Sequence, residues 1–84
     1  MNLFVSNLDR SVSEDALKAL FSEFGPVISV KIIIDKLSGI SKGFGFIEMS
    51  NDSDAIAAIE KLSNAEYFGR RLAVSKAKPR SYNL

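Results

Sequence analysis

Phe4, Phe44 and Phe46 are the residues whose type and spacing ask for a chemical explanation. Each falls in a run with strand-like alternation, on the side opposite the aliphatic residues that would fill a core. Leu3 and Val5 flank Phe4, while Ile47 and Met49 alternate with Phe44 and Phe46. A sheet covered on one side should show polar residues on its other side, and three phenyl rings break that rule. Rings in that position can stack on unpaired bases, at about 1–3 kcal/mol per base. They also form an apolar patch of the kind covered by a partner protein, a second copy or the chain's own tail.

The basic residues near the rings favour nucleic acid. Lys31, Lys42, Lys76 and Lys78 are placed to reach backbone phosphates beside stacked bases, a positive rim that a protein contact would not need. Gly43 and Gly45 remove side chains between the aromatic positions and mark a bulge or a close backbone approach. Gly43-Phe44-Gly45 is a poor phosphate loop, because such a loop opens a helix and carries further spacing absent here.

Composition narrows the alternatives. With no cysteine and no histidine, disulfides, thiolate metal sites and imidazole catalysis are excluded, leaving Asp, Glu, Lys, Ser or Tyr for any enzymatic mechanism. No converging pair of carboxylates is evident, so a small enzyme acting on phosphate or acyl groups is a weak rival. No catalytic residue, metal, cofactor or small-molecule substrate is expected. The net charge of +1 is small for a nucleic-acid binder, but it is unevenly distributed. From Tyr67 onward there are Arg70, Arg71, Lys76, Lys78 and Arg80 and no acidic residue, whereas the two expected helices hold Glu14, Asp15, Glu23, Asp52, Asp54 and Glu60. No apolar run reaches the ~20 residues of a membrane span and no leader pattern precedes the first strand, so a cytoplasmic location without membrane association is expected.

The 84 residues suffice for one domain, and 46% hydrophobic with 25% charged residues is the balance of a chain that folds alone. Leu3-Phe4-Val5 begins a strand that Asn7-Leu8-Asp9 closes. Ser13 is a good N-cap for a helix with Glu14 and Asp15 in its first turn and Leu17, Leu20, Phe21 and Phe24 at helical spacing, ended by Gly25-Pro26. Val27 to Ile34 is a β-branched strand, and a polar loop separates it from a third strand, Lys42 to Met49, in which Lys42, Phe44, Phe46 and Glu48 share one face. Asn51 or Ser53 can cap a second helix striped by Ala55, Ile56, Ile59 and Leu62. Leu72 and Val74 mark a final strand after a turn around Gly69. The order β-α-β-β-α-β predicts an α+β, ferredoxin-like split βαβ fold, a four-stranded antiparallel sheet with two helices on one face. Residues 1–77 form this domain and 78–84 a short basic tail.

At this point the sequence resembles the RNA recognition motif family. Lys42-Gly43-Phe44-Gly45-Phe46-Ile47-Glu48-Met49 is similar to the family octamer, K/R-G-F/Y-G/A-F-V-x-F/Y, with Ile47 for Val and a departure only at Met49. Leu3-Phe4-Val5-Ser6-Asn7-Leu8 resembles its hexamer, and the resemblance spans Asn2 to about Ala77. It implies that Phe4 and Phe44 stack on successive bases, that Phe46 packs on the sugars between them, and that Lys42 neutralises a phosphate. Met49 faces the core in the alternation, so its departure should affect packing more than binding. Asn7 is commonly structural in this family and receives no binding role. The compact chain is similar to small stand-alone members of bacteria or organelles.

Further residues join the candidate interface. Ile33 shares the outward face with Lys31 if Val30 and Ile32 turn inward, and is either an extension of the platform or an ordinary exposed aliphatic. Glu48 either accepts a hydrogen bond from a base edge or is a solvated strand charge. Ser75 and Ala77 are taken to follow the last strand, where the family often reads a base through backbone groups. Arg70 and Arg71 are taken as loop residues that contribute long-range attraction. Phe21, Phe24 and Phe68 are assigned to the core, and Tyr67 is left open. The expectation is non-catalytic binding of single-stranded RNA, about two to four nucleotides long, with single-stranded DNA as a further ligand. The protein is expected to be a monomer in post-transcriptional regulation or RNA chaperoning, and the alternative is a protein-interaction module using the same face.

Overall fold

The structure, a computed structural model, describes residues 1–77. Lys78 and the remainder of the basic tail lie outside the described residues. In chain order the elements are β1 (Asn2–Ser6), α1 (Glu14–Ser22), β2 (Val27–Ile34), β3 (Ser41–Met49), α2 (Asp52–Leu62), β4 (Glu66–Tyr67), β5 (Arg70–Arg71) and β6 (Ala73–Lys76). None of the described helices is long and apolar enough to cross a membrane.

Burial in β1 follows the period of two that a half-covered strand requires: Leu3 and Val5 are buried, while Asn2, Phe4 and Ser6 keep some exposure. Leu3 and Val5 join Leu17 and Phe21 of α1, Ala55, Ala58 and Leu62 of α2, and Ile47 and Met49 of β3 in one core. Both helices therefore cover the same face of the sheet. Met49 is fully buried, so the departure from the octamer is a matter of packing.

The sheet order is β2-β3-β1-β6 with every neighbouring pair antiparallel, which is the expected ferredoxin-like arrangement. It places the two aromatic strands, β1 and β3, in the middle. The outer strand β2 has register shifts between Val27 and Ser29 and between Ile32 and Ile34. The Ile32 N–H is satisfied from α1, where the Glu14 carboxylate accepts it at 2.9 Å, so the helix also protects a strand edge.

Local chemistry sets the ends of the helices. The Ser13 hydroxyl accepts the Ala16 N–H at 3.0 Å, a cap worth about 1 kcal/mol. Asn51 occupies the corresponding position of α2 but makes no side-chain cap; its amide donates to Asp54 instead.

The region after α2 departs most from expectation. Glu66–Tyr67 and Arg70–Arg71 pair as a small hairpin, β4-β5, whose two loop residues, Phe68 and Gly69, both have positive φ (53° and 78°). That backbone matches the tight turn that suits the right-handed twist of paired strands. Phe68 is consequently 51% exposed, which corrects its assignment to the core. Phe68 sits at the turn tip, and its ring lies against Tyr67, at 4.7 Å between centroids. Tyr67 itself packs against the core, and its hydroxyl donates to the Ala16 carbonyl at 3.3 Å. Leu72 is buried just ahead of the last strand rather than within it.

Candidate nucleic-acid interface

Strand register converts alternation into a two-dimensional surface. Phe4 lies opposite Phe46 on one side and Ser75 on the other, and Phe46 lies opposite Lys31. Residues directly opposite share a face. Lys31, Phe46, Phe4 and Ser75 thus form one row across all four strands of the sheet, on the side away from the helices. The adjacent row brings together Phe44, Ser6 and Ala73.

The three rings form a triangle. Centroids are 5.5 Å apart for Phe4 and Phe46, 5.8 Å for Phe4 and Phe44, and 6.5 Å for Phe44 and Phe46. Phe4 is tilted by 45° from Phe44, whereas Phe46 stands at 90° to Phe44. The rings therefore present separate surfaces rather than one continuous plane. All three are partly exposed and outside the core cluster.

Two glycines make this surface geometrically possible. A Cβ at Gly45 would lie 2.5 Å from the Lys31 carbonyl oxygen, so β3 can approach β2 this closely only with glycine there. Gly43 has φ +85°, a bulge conformation that L side chains rarely adopt, and its carbonyl accepts the Leu8 N–H at 2.8 Å. This bond ties the end of the hexamer segment to the octamer segment. The same bulge interrupts the alternation that the sequence carries back to Lys42, so Lys42 is positioned by the loop end of β3.

Beyond Phe44 the surface continues into an open groove of about 1000 Å³, lined by Ser6, Arg10, Asp35, Lys42, Phe44 and Arg70 among others. Its acidic members are committed locally. Asp35 accepts the Leu37 and Ser38 N–H groups, and these bonds, that from Ser38 foremost, hold its carboxyl below the usual carboxylate range. Asp9, also on the groove wall, is lowered in the same direction by the Ser11 hydroxyl and then the Ser11 N–H.

The remaining residues expected at the interface divide. Lys31 is exposed beside Phe46, and Glu48 is half-buried on the same face, opposite Asn2 and Ser29. Ile33 is half-buried, outside the core cluster, at the irregularity between Ile32 and Ile34. Ser75 lies within β6 rather than after it, exposed and opposite Phe4. Lys76 requires a correction: it lies opposite the core residue Leu3, so its side chain leaves the outer strand on the helical side and not among the rings. Ala77 is only 7% exposed and its N–H donates to the Asn2 carbonyl at 2.8 Å, which removes it as a donor to a base. Lys78 falls outside the described residues.

One arrangement had no local signal in the sequence. Asn7, with φ 61°, accepts two hydrogen bonds from the Arg70 guanidinium through Oδ1, at 2.7 and 3.2 Å, while its Nδ2 donates to the Arg71 carbonyl at 2.7 Å. The partners are 63 and 64 residues apart in the chain. Asn7 is structural as expected, but Arg70 is drawn out of the loop and onto the groove.

Known proteins share this sequence pattern and fold. The RNA recognition motif profile matches residues 3–73 of the 84. The chain belongs to the RNA recognition motif family. The protein named "Putative RNA-binding protein RbpB" of Nostoc sp. is 48% identical over 80 residues, covering 95% of this chain and 78% of that one. The crystal structure of RNA binding protein PG1 superposes with a TM-score of 0.92 at 44% identity, covering 95% of this chain and 96% of that one. A structure of the Sxl-lethal protein in complex with RNA matches at TM-score 0.87 and 33% identity, over 93% of this chain and 47% of that one. This RNA recognition motif has relatives among small cyanobacterial proteins that are named as RNA-binding.

Proposed function

We propose that this RNA recognition motif binds single-stranded RNA on the open face of its sheet, without catalysis. Phe4 and Phe44 stack on two successive bases and Phe46 packs on the intervening sugar. The rings lie at 45°, 51° and 90° to one another, so each offers its own surface to the strand. Lys31 and Lys42 meet phosphates, Ile33 widens the apolar platform, and Glu48 and Ser75 offer polar groups to base edges. Single-stranded DNA is a second ligand, because stacking does not require a 2′-hydroxyl. A monomer acting in the cytoplasm, in post-transcriptional regulation or as an RNA chaperone, fits a binder of this size.

The observation that carries this reading is the aromatic triangle on the two central strands, opposite the helices. Fluorescence anisotropy with short single-stranded RNAs tests it. Phe4→Ala and Phe44→Ala should each weaken binding by about 1–3 kcal/mol while circular dichroism shows the fold intact. Binding by both variants at the parent's affinity would remove the stacking mechanism. RNA affinity that does not fall with salt would remove the phosphate contacts assigned to Lys31 and Lys42.

A further inference from the structure

Arg70 is the strongest feature that the aromatic face leaves unused. Its guanidinium is held in place from two sides of one amide: Asn7 Oδ1 accepts from Nε and Nη2, and Asn7 Nδ2 is fixed in turn by the Arg71 carbonyl. The Asn7 acceptor is neutral, so it orients the guanidinium without cancelling its charge. Among the described residues no carboxylate stands within ion-pair distance of Arg70, and the Asp9 carboxylate on the groove wall feels its charge only as a minor influence behind its own bonds to Ser11. An Arg side chain has five N–H donors, and Asn7 takes two of them. Three remain on an exposed, pre-oriented fork at the wall of the groove that begins at Phe44.

Such a fork suits a phosphodiester. It is planar, permanently charged and able to bind two oxygens together, and the loss of side-chain freedom has already been met in the free protein. Asn7 directly follows Ser6, whose register partner on β3 is Phe44. Arg70 therefore stands one step past the last ring, on the groove that continues from the aromatic face. We propose that Arg70, positioned by Asn7, binds the phosphate of the nucleotide next to the base on Phe44 and leads the strand into the groove, with Lys42 on the groove wall. This rests on the stacking reading and extends it by one nucleotide.

The test uses the full chain and oligouridylates of two and six nucleotides, followed by amide chemical shifts and anisotropy across a salt series. The parent should bind the hexamer more tightly than the dinucleotide. Arg70→Met should lose about tenfold on the hexamer, change little on the dinucleotide, and lower the slope of log affinity against log salt by about 0.7. Asn7→Gly accepts the positive φ and keeps the Arg70 charge. It should lose hexamer affinity with the slope retained, marking Asn7 as a positioning residue. Arg70→Met binding both lengths with the parent's affinity and slope would overturn the proposal and leave the Asn7–Arg70 pair as a hairpin staple. If Phe44→Ala keeps parental dinucleotide affinity, stacking itself fails, which is a separate outcome.

Discussion

Gly45 lies against the Lys31 carbonyl so closely that a methyl group at its Cα would fall 2.5 Å from that oxygen and 3.1 Å from the Ile32 Cα. These neighbours are backbone and cannot rotate away. Gly45→Ala should therefore push β2 from β3 and cost about 1–3 kcal/mol, as overpacking does. Urea unfolding reads the loss, and RNA affinity should fall with it because Lys31 and Phe46 belong to the displaced row.

The two fates of phenylalanine predict opposite responses. Phe21 has no exposed surface, and Phe21→Ala should cost about 3–5 kcal/mol. Phe68 sits at φ 53° on a turn tip, a conformation that Asn adopts more readily. Phe68→Asn should change stability by less than about 1 kcal/mol, with thermal melts comparing the two variants directly.

Salt separates the lysines. Lys31→Ala and Lys42→Ala should each reduce the slope of log affinity against log salt by about 0.7, as one lost phosphate contact on a single strand does. Lys76→Ala, on the helical side of β6, should leave the slope unchanged. A drop for Lys76 equal to the others would mean that its side chain wraps back over the sheet edge.

Burial raises the Tyr67 phenol above the ordinary tyrosine value of 10.0. The unfolded chain then loses this proton first, so the folded state is favoured below about pH 10 and loses that advantage as pH rises through the folded value. Tyr67→Phe should flatten this alkaline decline. Urea midpoints of the two proteins at pH 8 and about pH 10.5 measure the difference.

Much of this was legible because the determinants are periodic and local. Leu3, Val5, Ile47 and Met49 alternate with the phenylalanines, Ser13 signals its helix, and two short motifs fall on strands in the right order. The hairpin at Phe68-Gly69 was not legible, since strands of two residues carry no alternation and a phenylalanine normally argues for burial. The side on which Lys76 emerges depends on register, which is set by pairing with β1 and not by the sequence around it. The Asn7–Arg70 contact depends on both ends of the chain, so no window of sequence contains it.

Strand β1 has buried Leu3 and Val5 on one side and Phe4 and Ser6 on the other. A single strand therefore serves as ceiling to one compartment and floor to another. With Asn7 and Leu8 held in place, removing or adding one residue at its end, between Val5 and Asn7, would exchange the two sets, bringing Phe4 inward and turning Leu3 and Val5 toward water. Stability and recognition are thus constrained by the same reading frame of side chains, and such a length change would damage both at once, whereas substitutions can adjust either side alone.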